Sequence, residues 1–275
     1  MKRKLFCEIS PLAYKISMEK EIALRHVRDF FSNERFSHVK SDEKLPVLIY
    51  KHNSLIRRRL GNVNMELQEN KAHNLSLAAP KITGIIIKPD ETFSLWKLVK
   101  RCSAKEGYRE GLTISSNKAT SGIGGGLCQL SNLIHWMILH TDMEIVEHHH
   151  HDQLDLFPDY KRVIPFGTGT SIMYNYLDYR FKNTTKLTYQ LIVYTTDEYL
   201  CGEIRANERQ DFKYHIVAED VFFSKEKDGV YRNGKIYREK NDCKTGKCVK
   251  RELIKINHAK VCYDTSNLEV VEINN

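Results

Sequence analysis

A cysteine lies within the glycine-rich stretch SGIGGGLCQLSN, which spans residues 121–132. Gly122, Gly124, Gly125 and Gly126 lead into Cys128, and a run with helical apolar spacing begins there. A thiol at the first turn of a helix lies among unpaired backbone N–H groups, which lowers its pKa and raises its thiolate fraction. Glycines just ahead permit positive φ and can leave N–H groups aimed at a developing oxyanion. Gln129 and Ser131 add side-chain donors. Cys128 is therefore a candidate nucleophile of a hydrolase or acyltransferase, with Gly124, Gly125, Gly126 and Ser131 as a candidate ligand-binding turn. The same pattern fits a packing turn in which Cys128 is a small buried hydrophobe.

A thiolate nucleophile needs an imidazole to hold its proton. Twenty residues on, the chain reads EHHHHD, and the alternation of MEIVEHH predicts a strand there. On a strand, His149 and His151 share one face and His148 and His150 the other. His151 and His149 are the candidate bases. The competing chemistry is zinc, with Cys128, His149 and His151 as three ligands beside Glu147 and Asp152. No other cofactor is implied. His135 falls two turns after Cys128, about 10 Å along the helix, too far to serve the thiol directly. CKTGKC, from Cys243 to Cys248, predicts a hairpin with two unpaired thiols. The chain carries no P-loop, dinucleotide fingerprint or H-E-x-x-H motif.

The elements that must position these groups are partly legible. Tyr14–Ser32 reads as an amphipathic helix, with Ile16, Ile22, Ala23, Val27, Phe30 and Phe31 at near-helical spacing. LPVLIYKH predicts a short strand, and Asn70–Ala79 a helix that stops before Pro80. Ile85–Ile87 reads as a buried strand followed by a turn at Pro89 and Asp90. Leu130, Leu133, Ile134, Met137 and Ile138 form one stripe, which predicts a helix over Cys128–His140. Beyond Arg162 strand-like segments dominate: SIMYNYLDYRFKN, LTYQLIVYTT, YLCGEIRA, FKYHIVAEDVFF, GVYRNGKIYRE and VCYD. Helices come first and strands later, without βαβ alternation. The fold class is α+β: a helical N-terminal part, a central helix carrying Cys128 on a mainly antiparallel sheet, and a β-rich C-terminal tail. The expected division is 1–65, 66–206 and 207–275.

With 275 residues, 41% hydrophobic and 28% charged, the chain has the composition of a folded globular protein. Its formal charge of +8 is scattered, with Arg57–Arg59 the one tight run. Such a field favours polyanions such as nucleic acid, anionic lipid or wall polymers, but scattered charge argues against a dedicated nucleic-acid surface. No stretch has the roughly 18 apolar residues that a membrane helix needs. The N-terminus has neither the apolar core nor the cleavage site of a signal peptide, and the seven cysteines follow no regular spacing. The expected location is the cytoplasm, and the expected partner a small molecule or peptide.

Several segments together resemble the VanW family. They are IKPDETFSLWKLV (Ile87–Val99), GYREG (Gly107–Gly111), GGGLCQLSN (Gly124–Asn132), the His run, PFGTGTSI (Pro165–Ile172) and YRFKNTT (Tyr179–Thr185). The family pattern has a PGETFSFN-like segment, GGGxCQxS, H-x-H after a short strand, a GxDA[TS]-like segment and a strand ending in N-x-T. The resemblance places Gly124, Gly125, Gly126, Cys128, Gln129 and Ser131 on the glycine–cysteine motif. It puts His149 and His151 on H-x-H, His151 being the better match. Pro89, Glu91, Thr92, Phe93 and Ser94 fall on the first motif. Asp90 stands where the family has Gly, and Gly169 where it has Asp; Thr168, Thr170 and Asp178 are candidates to replace that Asp. The resemblance implies an association with glycopeptide resistance and carries over positions rather than a reaction. The expected function is a Cys128/His151 enzyme acting on an amide or ester of a cell-wall precursor, with Gln129 and His149 assisting. The alternative is a non-catalytic ligand-binding accessory protein.

Overall fold

The Ser10 side chain starts the first helix by accepting the Ala13 N–H at 3.1 Å, and Pro11 takes the position where a missing N–H costs nothing. In the computed structural model, residues 5–58, 64–115, 118–150, 153–159 and 163–272 are described. The first half of the chain forms α1 (Pro11–Phe31), β1 (Arg35–Phe36), β2 (Val47–Leu55), α2 (Met65–Ile82), β3 (Ile85–Ile87), β4 (Glu91–Ser94) and α3 (Leu95–Val99). Then come β5 (Glu110–Ser115), β6 (Lys118–Ile123), α4 (Cys128–Ile138), β7 (Glu144–Glu147) and β8 (Leu154–Asp155). The remainder is strand: β9 (Arg180–Lys182), β10 (Tyr189–Thr195), β11 (Tyr199–Ala206), β12 (Phe212–Glu226), β13 (Gly229–Asp242), β14 (Cys248–Val261) and β15 (Val270–Glu272). The class is α+β.

Four sheets result. One has the order β2-β11-β10-β3, antiparallel throughout; a second has the order β1-β4-β9-β7. β5 and β6 form a separate hairpin, and the order β15-β12-β13-β14-β8 makes the long C-terminal sheet. The predicted stripe of α4 is wholly buried and packs on β11 and β2. A Cβ on Gly202 of β11 would stand 2.6 Å from the Met137 methyl, so helix and strand approach closely because that residue is glycine. Leu75, Ala78 and Ile82 of α2 close the same core from the β10 side.

Four readings are corrected. α2 continues to Ile82 with Pro80 inside its last turns. A proline so near the end removes one helical hydrogen bond, and apolar burial at Ala78, Ala79 and Ile82 outweighs that loss. β7 ends at Glu147, so His148–His150 lie in a loop and do not alternate across a strand face. Within SIMYNYLDYRFKN only Arg180–Lys182 is a strand; the rest turns at a Met173–Leu177 bridge. Finally, β14 is a fourteen-residue strand of which the sequence marked only the end at VCYD. His151 and Asp152 lie outside the described residues.

The turn at Pro89–Asp90 forms as expected, and Asp90 has φ +65°. A left-handed residue explains why glycine suits this position in the family pattern; Asp is among the side chains that tolerate it.

Candidate functional site

α4 begins at Cys128 without a side-chain cap, entered through a tight turn in which the Gln129 N–H donates to the Gly126 carbonyl at 3.1 Å. The glycines ahead of it are constrained by contact. A Cβ on Gly125 would stand 2.1 Å from the Gly111 carbonyl oxygen, and one on Gly111 2.5 Å from that of Gly125. Gly126, at φ +90°, lies against the Lys71 stem. Asn74 clamps this contact: its Nδ2 donates to the carbonyls of Arg109 and Gly125, and its Oδ1 accepts the Arg109 N–H.

The glycine N–H groups expected to face an oxyanion are already engaged. Gly124 donates to Arg109, Gly125 to Gly122 and Gly126 to Leu112, all through backbone carbonyls at 2.8–3.0 Å. Gln129 is turned to β2, donating to the Ser54 and Leu55 carbonyls and to the Ser54 hydroxyl. The Ser131 hydroxyl donates to the Cys128 carbonyl at 3.0 Å and also hydrogen-bonds the Thr170 hydroxyl. These motif residues bind the fold together.

Cys128 keeps some residue-level exposure, but burial dominates at its sulfur and pushes the thiol up from the ordinary cysteine value. Backbone hydrogen bonds from Ile172 and from Cys128 itself pull it only partway back. That direction is opposite to the one a helix start alone would give, because desolvation of the thiolate exceeds the effect of the helix end. Among the described residues no histidine hydrogen-bonds this thiol. His149 is held elsewhere: its Nε2 lies 3.0 Å from Glu147 Oε1, in a carboxylate that Arg25 also grips.

The PFGTGTSI segment runs between α4 and the His run. Asn132 Oδ1 accepts the Thr170 N–H at 2.6 Å and its hydroxyl at 2.9 Å, while the Ser171 N–H donates to the His149 carbonyl. His148 Nε2 lies 2.9 Å from the Gly169 carbonyl oxygen, and its ring stacks on His135 at 4.4 Å. His135 is buried and bonded to the Tyr179 hydroxyl at 3.0 Å; burial, with His148 and His150 beside it, holds its imidazole well below the usual range. His135, His148 and His150 line a cleft of about 480 Å³ with Thr168, Arg238 and Lys255. The three candidates to replace the family's Asp have these partners among the described residues. Thr168 donates to the Pro165 carbonyl, Thr170 serves Asn132, and Asp178 accepts from Ser94, the Trp96 N–H and Arg180.

For zinc, His149 is on Glu147, and among the described residues no group of three His, Cys, Asp or Glu side chains is arranged to hold a metal ion. Cys243 and Cys248 are exposed and unpaired at the ends of a tight turn, as expected. No helix among the described residues is long and apolar enough to cross a membrane.

The family described as "VanW like protein" matches residues 70–205. The chain is also 33% identical, over 81% of its length and 80% of the relative's, to the vancomycin B-type resistance protein VanW of Enterococcus faecalis. The chain belongs to the VanW family. It shares 27% identity over 115 residues with the uncharacterized protein YoaR of Bacillus subtilis, covering 42% of this chain and 36% of YoaR. No solved structure matches.

In this VanW-family chain the glycine–cysteine motif, GYREG and PFGTGTSI meet in one region, around α4. Sequence reasoning missed the residues that assemble it. His148 and His150 were in view but placed by a strand that had already ended. Asn132 closes the quoted motif and could have been singled out as a polar residue one turn after Cys128. Asn74 and Lys71 carried no signal, since polar residues at helical spacing ordinarily face solvent.

Proposed function

We propose that this VanW-family chain is a ligand-binding accessory protein, that its imidazole-lined cleft takes a polar small molecule or peptide related to the cell wall, and that Cys128 serves the architecture. One observation carries the reading: the Cys128 sulfur is enclosed and bonded by the Ile172 backbone, while three imidazoles gather on an open cleft instead. The engaged N–H groups of Gly124, Gly125 and Gly126 support it further. The cell-wall part rests on the name of the Enterococcus faecalis relative.

The test pairs two measurements on the full chain. Soluble muropeptides are titrated while the imidazole resonances of His135, His148 and His150 are followed by NMR, and iodoacetamide alkylation of Cys128 is compared with that of exposed Cys243 by mass spectrometry. Saturable shifts that are lost in His148→Ala, with Cys128 alkylating more slowly than Cys243, support the binding role. Cleavage of a muropeptide that Cys128→Ala abolishes, or Cys128 alkylating faster than Cys243, overturns it in favour of a cysteine hydrolase or acyltransferase.

A further inference from the structure

α1 is amphipathic the wrong way round for a core helix. Ile22, Arg25 and Asp29 face the protein, Arg25 gripping Glu147 and Asp29 pairing with Arg180 and Lys97. On the other side Leu12, Ile16, Val27 and Phe30 fall within about 60° of one direction, given 3.6 residues per turn. All four are exposed, Phe30 at 81%, and Phe31 beside them is 77% exposed. Singly scattered apolar residues are ordinary on a surface; two exposed apolar groups on one helix side, Leu12 with Ile16 and Val27 with Phe30, bridged by Ala23, mark a contact.

Charge identifies what the stripe meets. The acids of α1 that lie toward the body are neutralised there, Glu19 by Arg101 and Asp29 by Arg180 and Lys97. Lys20 lies on the outward side, paired with Glu21 at 3.4 Å. The exposed Lys15 and Arg28 stand on the two flanks between that side and the protein-facing one, and the sequence ahead of the helix adds Lys2, Arg3 and Lys4. Against these six cations only Glu8 and Glu21 remain on the helix and its approach. A protein partner would need no such excess, whereas an anionic bilayer rewards both halves of the pattern. Apolar side chains enter the boundary between headgroups and acyl chains, and the cations meet the headgroups.

We infer that α1 lies in the surface of an anionic lipid membrane, its Leu12–Phe30 stripe inserted and its Arg25 and Asp29 side turned to the protein. The helix rests on the membrane and does not span it.

The experiment is co-sedimentation of the full chain with vesicles of equimolar phosphatidylglycerol and phosphatidylcholine, compared with phosphatidylcholine alone. Binding to the anionic vesicles that weakens with added salt is expected. Phe30→Ser/Phe31→Ser should lower the partition coefficient at least about tenfold with an unchanged circular dichroism spectrum, since neither side chain touches the core. Lys15→Glu/Arg28→Glu should remove the salt-sensitive part. Equal binding to neutral vesicles, or no effect of the Phe substitutions, overturns the inference. So does a concentration-dependent dimer in sedimentation equilibrium that the same substitutions abolish, because a second copy would then cover the stripe.

Discussion

The Nε2 of His150 stands 3.0 Å from the point where a Cβ on Gly169 would sit, with Asn132 Oδ1 at 3.8 Å from the same point. The resemblance puts Gly169 at the place of the family's Asp, and an Asp there would project at this imidazole. Gly169→Asp is expected to raise the pH at which His150 protonates, because an adjacent carboxylate favours the imidazolium. An NMR titration of the His150 ring, with Gly169→Asn as the uncharged control, reads this directly. No upward movement relative to the control would remove the proposed pairing.

Lys71 is buried against Gly126, with its amine donating to Gln68 Oε1 at 2.7 Å. Burial, with Arg58 and Arg57 adding repulsion, lowers its pKa from 10.5 to about 7. The unfolded chain therefore binds more protons than the folded one between those two values, and stability rises with pH across that window. The penalty is complete below about pH 7 and fades towards pH 10.5. Lys71→Met keeps the aliphatic stem and is expected to stabilise the protein by about 2–4 kcal/mol at pH 6, with the gain shrinking by pH 10. Chemical denaturation at both pH values checks it; an equal gain at the two would contradict the assignment.

Two glycines of the same region separate close approach from mere glycine content. Gly125→Ala forces a methyl group into the Gly111 carbonyl and should cost several kcal/mol or prevent folding. Gly122→Ala meets Thr113 Cγ2 at 3.5 Å, an ordinary contact, and should change stability by under about 1 kcal/mol. Thermal melts of the two variants side by side are sufficient.

Asp178 is fully buried and joins the Ser94–Trp96 segment to Arg180 of β9. It accepts from the Ser94 hydroxyl at 2.5 Å, from the Trp96 N–H at 3.1 Å and from Arg180 Nε at 2.7 Å. Asp178→Ala leaves those donors unmet and is expected to destabilise by about 3–5 kcal/mol, measured by urea unfolding. Arg180 retains both bonds to Asp29, so Asp178→Asn should lie nearer the lower figure.

Local periodicity explains what the sequence made legible. The Leu130–Ile138 stripe predicted α4 to its first residue, because an apolar face at 3.6-residue spacing has one solution when it must be buried. The type of α1 was equally plain, but its orientation was not: the same periodicity describes a core helix and one whose apolar side faces outward. Cys128 shows the other limit. A helix start lowers a thiol's pKa and burial raises it, and only the surrounding packing decides which prevails. The His run failed by register, since a strand ending at Glu147 leaves each following imidazole to be placed by its own loop bonds.

The cleft is built from two stretches of the chain. His135, His148, His150 and Thr168 belong to the stretch 70–205 that defines the family, whereas Arg238, Glu252 and Lys255 come from β13 and β14 beyond it. A chain cut back to residues 70–205 would retain the residues of the imidazole floor and lose the opposite wall. Substitutions in β13 and β14 therefore reshape the wall opposite the imidazoles without altering the glycine–cysteine motif.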